Sequence, residues 1–189
     1  YWKSKKDKAV YSGQWISHEE RAYETSQIYE KNGIKYAFFS YTTWTNGLST
    51  PKGKEYLNNV YSKEKAGEDI ARVRDKADVV IVAMHWGTEY SLGVSSDQAQ
   101  IADDLSEMGV DLIIGAHPHV VEPVEYINDG KTFVIYSLGN FISNQLVLGV
   151  NQGIGLIAGM DIVVNEGKVT FENLDYKLLY TYSTSYNTN

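Results

Sequence analysis

Two apolar runs, each leading into a histidine, constrain the fold of this chain more than any other feature. The run DVVIVAM leads into His85, and the run VDLIIGA leads into His117. Continuous apolar runs of this length are typical of strands that are buried on both faces of a sheet. With a helical pattern between them, they predict a βαβ unit, in which the two strands are parallel and usually close neighbours.

The segment between the two runs has helix signals at both ends. Ser95 and Gln98 have the spacing of a capping box, and Gly109 stands where a C-terminal cap belongs. Apolar residues recur between them with helical spacing, at Ile101, Ala102, Leu105 and Met108. These signals predict a helix that begins after Ser95 and ends before Gly109.

Upstream, the pattern predicts one more strand and one more helix. The strand covers Gly33 to Thr42, which is rich in aromatic and apolar residues and follows a turn signal at Asn32. The helix is capped by Ser62 and extends to about Ala77, because apolar residues share one face there. Residues 43–61 form a long connection, interpreted either as a functional loop or as a surface excursion.

Two short Gly-containing segments predict hairpins. NDGK (Asn128 to Lys131) and NEGK (Asn165 to Lys168) each join two apolar-rich runs, as antiparallel hairpins do. Pro123 indicates that its strand lies at a sheet edge or a bulge, because proline cannot donate a ladder hydrogen bond. Together with the βαβ unit, these features predict an α/β fold with mixed sheets packed on each other and helices outside.

The histidines at the strand ends form the main functional signal. His85 and His117 follow neighbouring parallel strands about 4.8 Å apart, at the edge where open α/β sheets bind ligands. If the segment His117, Pro118 and His119 is extended, its two imidazoles share one face. One histidine at such a position is more often structural, but three at matched positions favour a shared metal site.

Composition limits the metal. Imidazole suits zinc, iron, manganese or nickel, and the absence of cysteine excludes thiolate ligands. Three neutral ligands do not balance a divalent ion, so carboxylates are also required. Glu89, four residues after His85, is a candidate to orient a ligand imidazole or to act as acid or base. The alternative for Glu89 is an exposed loop carboxylate.

Size and charge define the broad class of protein. At 189 residues, with 43% hydrophobic residues, the chain suits one ordinary globular domain. Its formal charge of -7 has the wrong sign for binding nucleic acid. No apolar run is long enough to span a membrane, and no signal peptide is present. Because the chain begins with Tyr1, we expect a piece of a longer protein, with any membrane anchor in the absent part.

The aromatic content invites a polymer-binding interpretation. Fifteen tyrosines and four tryptophans offer faces that can stack on a polymer, although packing in strands and core explains most of them. A chain of this charge repels an anionic polymer unless a bound cation or a basic patch receives it. The candidates for that patch are Lys3, Lys5, Lys6 and Lys8.

Three ordered motifs resemble the CapA/PgsA family of poly-γ-glutamate capsule biosynthesis proteins, which is similar in fold to the calcineurin-like metallophosphoesterases. The motifs are MHWGTEY (Met84 to Tyr90), GVDLIIGAHPHVVEPVE (Gly109 to Glu125) and VIYSLGNFISNQ (Val134 to Gln145). The earlier segment NGIKYAFFSYTTWTNGL also resembles that family. The resemblance implies a calcineurin-like αββα sandwich with mixed sheets. It also implies that His85, His117 and His119 are metal ligands.

The chain departs from the family pattern in one respect. It contains no Asp-x-His, Gly-Asp or Asn-His pair, and such pairs supply further ligands in calcineurin-like sites. We therefore expect residues 1–189 to be the C-terminal part of a single CapA-type metallophosphatase-like domain that lacks its N-terminal units. Such a chain is expected to be inactive alone. The resemblance implies divalent ions, manganese, zinc or iron, and two of them in the full-length protein.

Three functional hypotheses follow from the resemblance. The first is a metal-dependent hydrolase of a phosphoester or amide, with Glu89 and Asn140 as catalytic candidates. Asn140 is expected to contact substrate or a ligand-supporting group, with a simple turn residue as the alternative. The second hypothesis is a non-catalytic assembly or tethering subunit of the polyglutamate synthesis and export machinery. The third is a structural fragment without activity.

The resemblance also implies a location and partners. The expected location is the extracytoplasmic face of the cell membrane, with anchoring through a segment that is not in this chain. The expected partners are poly-γ-glutamate or another cell-envelope polymer and the membrane complex for capsule synthesis. Nucleic acid is not expected as a partner.

Overall fold

The computed structural model of the chain describes residue 5, residues 9–145 and residues 149–182. Of the predicted basic patch, Lys3, Lys6 and Lys8 lie outside the described residues. The described helices are α1 (His18–Glu24), α2 (Lys63–Ala71) and α3 (Ser96–Glu107). The described strands are β1 (Tyr29–Lys31), β2 (Ile34–Thr42), β3 (Val79–His85), β4 (Leu112–Ala116), β5 (Val124–Ile127), β6 (Thr132–Ile135), β7 (Ile154–Asn165) and β8 (Lys168–Tyr180). In this part of the chain, no helix has the length and apolar character needed to cross a membrane.

Six strands form one mixed sheet in the order β1, β2, β3, β4, β6, β5. The central strands β2, β3, β4 and β6 are parallel, while β1 and β5 pair antiparallel at the two edges. Asn128 and Asp129 have positive φ in the turn between β5 and β6, which confirms the first predicted hairpin. Pro123 immediately precedes the edge strand β5, in agreement with its predicted edge position.

The predicted βαβ unit is present as β3, α3 and β4. The two strands are adjacent and parallel, and His85 in β3 is in register with Ala116 in β4. The capping box that begins α3 is complete, because Ser95 N–H donates to Gln98 Oε1 at 2.9 Å and Gln98 N–H donates to Ser95 Oγ at 3.2 Å. Gly109 follows the helix with φ +89°, a left-handed conformation that favours glycine.

The main sheet is covered on both faces. On one face, α2 and α3 pack against β2, β3 and β4 and form the larger apolar core, which includes Phe39, Val82 and Ile113. On the other face, the antiparallel hairpin of β7 and β8 packs over a smaller core that contains Phe133 and Phe171. The predicted mixed sheets and second hairpin are therefore confirmed. Across the described ranges, no helix covers the outer face of the β7–β8 hairpin.

The helix predicted from Ser62 to about Ala77 is shorter than expected. Ser62 is the N-cap, but the α-helix ends at Ala71. A short 3-10 helix (Arg74–Lys76) follows it. The Arg74 guanidinium donates to the carbonyl oxygens of Ala77 at 2.7 Å and Asp78 at 3.0 Å, and these bonds hold the chain outside the path of a continuous helix.

One close contact holds three segments together behind the histidines. The Trp86 indole Nε1–H donates to the Tyr136 carbonyl oxygen at 2.9 Å. A Cβ at Gly115 would lie 1.8 Å from that oxygen and 2.5 Å from the indole nitrogen, so only glycine permits this approach. Trp86 is fully buried, so its side chain has a packing role.

We expect Gly115→Ala to lower the free energy of unfolding by about 1–3 kcal/mol or more, because the added methyl group displaces Trp86 or Tyr136. Urea unfolding followed by tryptophan fluorescence measures the change. Gly67→Ala is the matched control. Gly67 lies within α2, where an added Cβ makes an ordinary 3.8 Å contact with Met108, so this variant should gain about 0.5–1 kcal/mol. Unchanged stability of Gly115→Ala would contradict the role of this contact.

Candidate metal centre

The C-terminal ends of β3 and β4 bring three imidazole rings together. His85 is the last residue of β3, and His117 directly follows β4. Their ring centroids are 4.4 Å apart, and the centroid of His119 is 6.1 Å from that of His117. The rings adjoin at the edge where the parallel arrangement of the two strands places them.

The segment from His117 to His119 is bent, so the condition of an extended segment, under which its two imidazoles would share one face, is not met. His117 has φ +106° and His119 has φ +60°, in a region that residues with a side chain rarely adopt. The Pro118 carbonyl accepts a hydrogen bond from Tyr90 N–H at 2.7 Å, so the segment follows the loop after β3 instead of continuing β4. Backbone strain of this kind is concentrated at functional sites.

The loop after β3 places a carboxylate beside this turn. Glu89 is exposed, and its carboxylate and the rings of His117 and His119 offer ligand atoms that all lie within 4.8 Å of one another. Atoms bound to one ion at about 2.0–2.2 Å are at most about 4.4 Å apart, so donors within 4.8 Å of one another are close to the spacing that one ion requires. Two imidazoles and one carboxylate fit a divalent ion such as zinc, manganese or iron. His85 adjoins this group through the ring of His117.

Two of the rings have hydrogen-bond partners on neighbouring segments. Nδ1 of His85 lies 2.9 Å from Oγ1 of Thr42, the last residue of β2. Nδ1 of His119 lies 2.9 Å from Oδ1 of Asn140, and Asn140 Nδ2 donates to the His119 carbonyl oxygen at 3.2 Å. Asn140 therefore lies behind a candidate ligand and contacts both its ring and its backbone.

A close approach of two glycines positions Asn140 against β7. Gly139 and Gly155 form an antiparallel bridge, and a Cβ at Gly155 would lie 2.2 Å from the Asn140 carbonyl oxygen. The Asn140 N–H donates to the Ile154 carbonyl oxygen at 3.3 Å. The second sheet thus contacts the segment that carries Asn140.

The chain that follows the histidine turn is tied to the start of α3. Gln98 is fully buried, and its Nε2 donates to Glu122 Oε2 at 2.6 Å. Burial raises the pKa of Glu122, and the hydrogen bond from Gln98 opposes that rise. Because Gln98 also completes the capping box, the helix start and the chain three residues after His119 are held as one unit.

Burial favours the neutral imidazoles that bind metal. It is the main cause that lowers the pKa of His85, and the nearby His119 lowers this pKa further. Burial also lowers the pKa of His117, an effect to which His85 adds and which the Glu89 carboxylate opposes. A histidine with a lowered pKa stays neutral to a lower pH than an exposed histidine does, and the neutral ring retains the lone pair that binds a metal ion.

A cavity of about 380 Å³ opens beside His85, at the ends of β2 and β3. Apart from His85, its lining consists of uncharged residues from segments 11–14, 40–42 and 58–59. Residues 58–59 end the long connection after β2, and Asn59 Nδ2 donates to the Ser40 carbonyl oxygen at 2.8 Å. The end of that connection therefore contributes to the wall of the site.

Two residues of this site were not predicted from the sequence. Thr42 hydrogen-bonds to His85, and the ring of Tyr90 stacks on that of His119 with centroids 6.0 Å apart. A signal for Thr42 was present, because it ends a strand parallel to β3 and is in register with His85. Tyr90 lies on a loop and has φ +67°, and a loop has no sequence periodicity from which the direction of the side chain could be predicted.

Comparison with protein families gives a match to the family described as bacterial capsule synthesis protein PGA_cap, over residues 3–145. The chain belongs to this family. The matched range is well over half of the chain and includes the candidate donors Glu89, His85, His117 and His119. The predicted relationship to capsule biosynthesis proteins is therefore confirmed.

Curated relatives agree with this assignment. The PGA biosynthesis protein CapA of Bacillus subtilis is 45% identical over 76 residues, which cover 40% of this chain and 20% of that protein. A probable polyglutamine synthesis accessory protein of Mycobacterium tuberculosis is 26% identical over 140 residues, which cover 72% of this chain and 34% of the relative. The match to this chain thus spans only 20% to 34% of the length of these relatives.

Two solved structures share the fold. A novel phosphatase from Mycoplasma pneumoniae superposes with a TM-score of 0.54 and 16% identity, over 82% of this chain and 56% of that chain. The NAD nucleotidase of Haemophilus influenzae gives 0.52 and 15%, over 82% of this chain and 30% of that chain. At these identities the likeness concerns the fold alone, and it confirms the predicted calcineurin-like α/β class.

We expect His85 and His117 to titrate below pH 6.5 in the metal-free protein, because burial disfavours their charged forms. Since the folded pKa values lie below those of the unfolded chain, protonation of the rings favours the unfolded chain. Their contribution to the free energy of unfolding is therefore fully present above pH 6.5 and is lost as the pH falls through the lowered pKa values. NMR of the ring protons during acidification measures both midpoints. Midpoints at or above pH 6.5 would contradict the burial argument.

Proposed function

We propose that this chain carries the histidine part of a divalent-metal centre in a hydrolase of capsule synthesis. The observation that carries the proposal is the group formed by Glu89, His117 and His119 at the ligand-binding edge of the sheet. Family membership supports the biological setting. The fold shared with a phosphatase and a nucleotidase supports hydrolytic chemistry.

The residues of this chain have distinct roles in the proposed centre. His117 and His119 provide neutral imidazole nitrogens, and Glu89 provides negative charge that a divalent ion needs. In this arrangement Glu89 is a ligand rather than an acid or base. His85 adjoins the group and provides a further imidazole, as the family resemblance implies. When bound, manganese, zinc or iron would polarise a phosphoryl or acyl oxygen of the substrate.

The charge of the molecule bears on the substrate. A chain with a formal charge of -7 repels an anionic polymer in general, but a bound divalent ion offers a local positive charge. The cavity beside His85 has an uncharged polar lining, which suits amide or hydroxyl groups next to the bond that is cleaved. We therefore propose a phosphoester or amide in a cell-envelope polymer, with poly-γ-glutamate as the first candidate.

The proposed setting follows the names of the relatives, which refer to PGA and capsule biosynthesis. We propose that the protein acts with the membrane complex for capsule synthesis at the extracytoplasmic face of the membrane. We further propose that residues 1–189 act as the C-terminal part of a longer CapA-type domain. The sequence has no Asp-x-His, Gly-Asp or Asn-His pair to complete a centre with two ions.

The assembly or tethering role is the second hypothesis for the same family. The strained turn beside a carboxylate supports a metal site, which both hypotheses include, because strain of this kind is concentrated at functional sites. The fold shared with a phosphatase and a nucleotidase is what favours the hydrolase. The two hypotheses differ in a measurable way, since tethering predicts metal binding without turnover.

We expect His117→Ala and Glu89→Gln to weaken Zn²⁺ and Mn²⁺ binding by more than about 100-fold, because each removes a proposed ligand. Isothermal titration with each metal measures the change. His18→Ala is the matched control, since His18 lies on α1 and its Nε2 is 3.2 Å from the Gly53 carbonyl oxygen. This control should bind metal as the parent does. Parent-like affinity of His117→Ala would contradict the metal centre.

Turnover is assayed on the full-length parent protein with a chromogenic phosphodiester and a γ-glutamyl amide. We expect hydrolysis of one of these substrates, and its loss in the His117→Ala variant. Metal binding without turnover of either substrate would instead support the tethering hypothesis. Absence of metal binding in the folded 189-residue chain, with binding by the full-length protein, would show that this chain contributes only part of the centre.

A further inference from the structure

The hydroxyl of Thr42 lies within hydrogen-bond distance of four groups. It donates its one proton to the Trp44 carbonyl oxygen at 2.8 Å, which is nearer than the His85 carbonyl oxygen at 3.5 Å, and it accepts from the Trp44 N–H at 3.3 Å. Its remaining lone pair lies 2.9 Å from Nδ1 of His85. Because this assignment uses the one proton of the hydroxyl, the imidazole is the donor in the last contact, and neutral His85 then carries its proton on Nδ1.

The Asn140 side chain makes the same assignment for His119. Its Nδ2 is surrounded by acceptors, namely the carbonyl oxygens of His119 at 3.2 Å and Gln152 at 2.8 Å and Oε1 of Gln145 at 3.3 Å. This environment fixes the amide orientation, so its oxygen is the atom 2.9 Å from Nδ1 of His119. An amide oxygen can only accept, and the His119 ring must donate from Nδ1.

We propose that Thr42 and Asn140 are positioning residues that hold His85 and His119 as the Nδ1-protonated tautomer and keep the Nε2 lone pair of each ring available for a metal ion. An imidazole ligand generally donates its other N–H to a fixed partner, and that bond sets both the ring orientation and the atom that binds. The inference rests on the proposed metal centre, and it names two residues that do not themselves bind the ion.

Asn140 has a second effect through the backbone. It bonds to the ring and to the carbonyl oxygen of His119, a residue with φ +60°. The same side chain therefore stabilises a strained backbone conformation and the rotamer of the ring that this conformation directs to the centre. Thr42 acts on His85 from the neighbouring strand, where regular parallel pairing already places the backbone.

The first test measures the tautomers directly in the metal-free protein. Long-range ¹H–¹⁵N correlation spectra of the imidazoles distinguish protonated from unprotonated ring nitrogens, and single histidine variants assign the signals. At a pH where the rings are neutral, we expect Nδ1–H and unprotonated Nε2 for both His85 and His119 in the parent. Thr42→Val should release His85 alone into a mixture of tautomers, and Asn140→Leu should release His119 alone.

The second test measures Zn²⁺ affinity by isothermal titration. We expect Thr42→Val and Asn140→Leu to weaken binding by about 10–100-fold, the range typical of partners behind metal ligands. Thr42→Ser retains the hydroxyl and should restore affinity. Two control variants remove a hydroxyl or an amide near the site that does not contact a histidine ring. Thr43→Val removes a hydroxyl that reaches only the His85 carbonyl oxygen, and Gln145→Leu removes an acceptor of Asn140 without touching its bond to His119.

The results decide between a positioning and a merely structural role. A proton on Nε2 of either ring in the parent protein would overturn the proposal. This measurement does not depend on whether the Thr42 and Asn140 variants fold. Equal weakening by Thr42→Val and Thr43→Val would also overturn it. A parent that binds no Zn²⁺ would remove the proposed metal centre, while the tautomer measurement would still decide the roles of Thr42 and Asn140.

Discussion

The parallel pairing of β3 with β4 is the constraint on which the candidate centre depends. It places His85 in register with Ala116, one residue before His117, and so sets the distance between two imidazoles that are 32 positions apart in the chain. Gly115 in β4 has no Cβ, and this leaves room for the Trp86 indole to reach the Tyr136 carbonyl oxygen across β4.

From that rigid edge, the site extends onto segments whose backbone is irregular. His117 and His119 have positive φ, and the turn they form is bonded to the loop after β3 through Tyr90 N–H and to the segment after β6 through Asn140. A strained turn persists only when several contacts with its surroundings together hold its conformation. Here the regular sheet provides a fixed base, and hydrogen bonds from two loops hold the histidines in a conformation that the chain alone would not adopt.

The sequence predicted much of the fold because its signals are local and periodic. The capping box at Ser95, both hairpin turns and the buried strands before His85 and His117 were predicted correctly. The extent of α2 was wrong because Arg74 bonds to carbonyl groups beyond the apolar face that suggested a longer helix. The condition for a shared face at residues 117–119 is not met, because a two-residue period applies only while a strand continues, and β4 ends at Ala116.

By itself, the sequence determined which residues lie at the ends of parallel strands, and therefore that His85 and His117 would adjoin. The two apolar runs, the helix signals between them and the parallel strands of a βαβ unit are sufficient for that conclusion. Only the tertiary structure decided that Glu89 joins His117 and His119, and that Thr42 and Asn140 stand behind two of the rings. Those contacts depend on the direction in which loops leave the sheet, and that direction is set by hydrogen bonds between segments far apart in the chain.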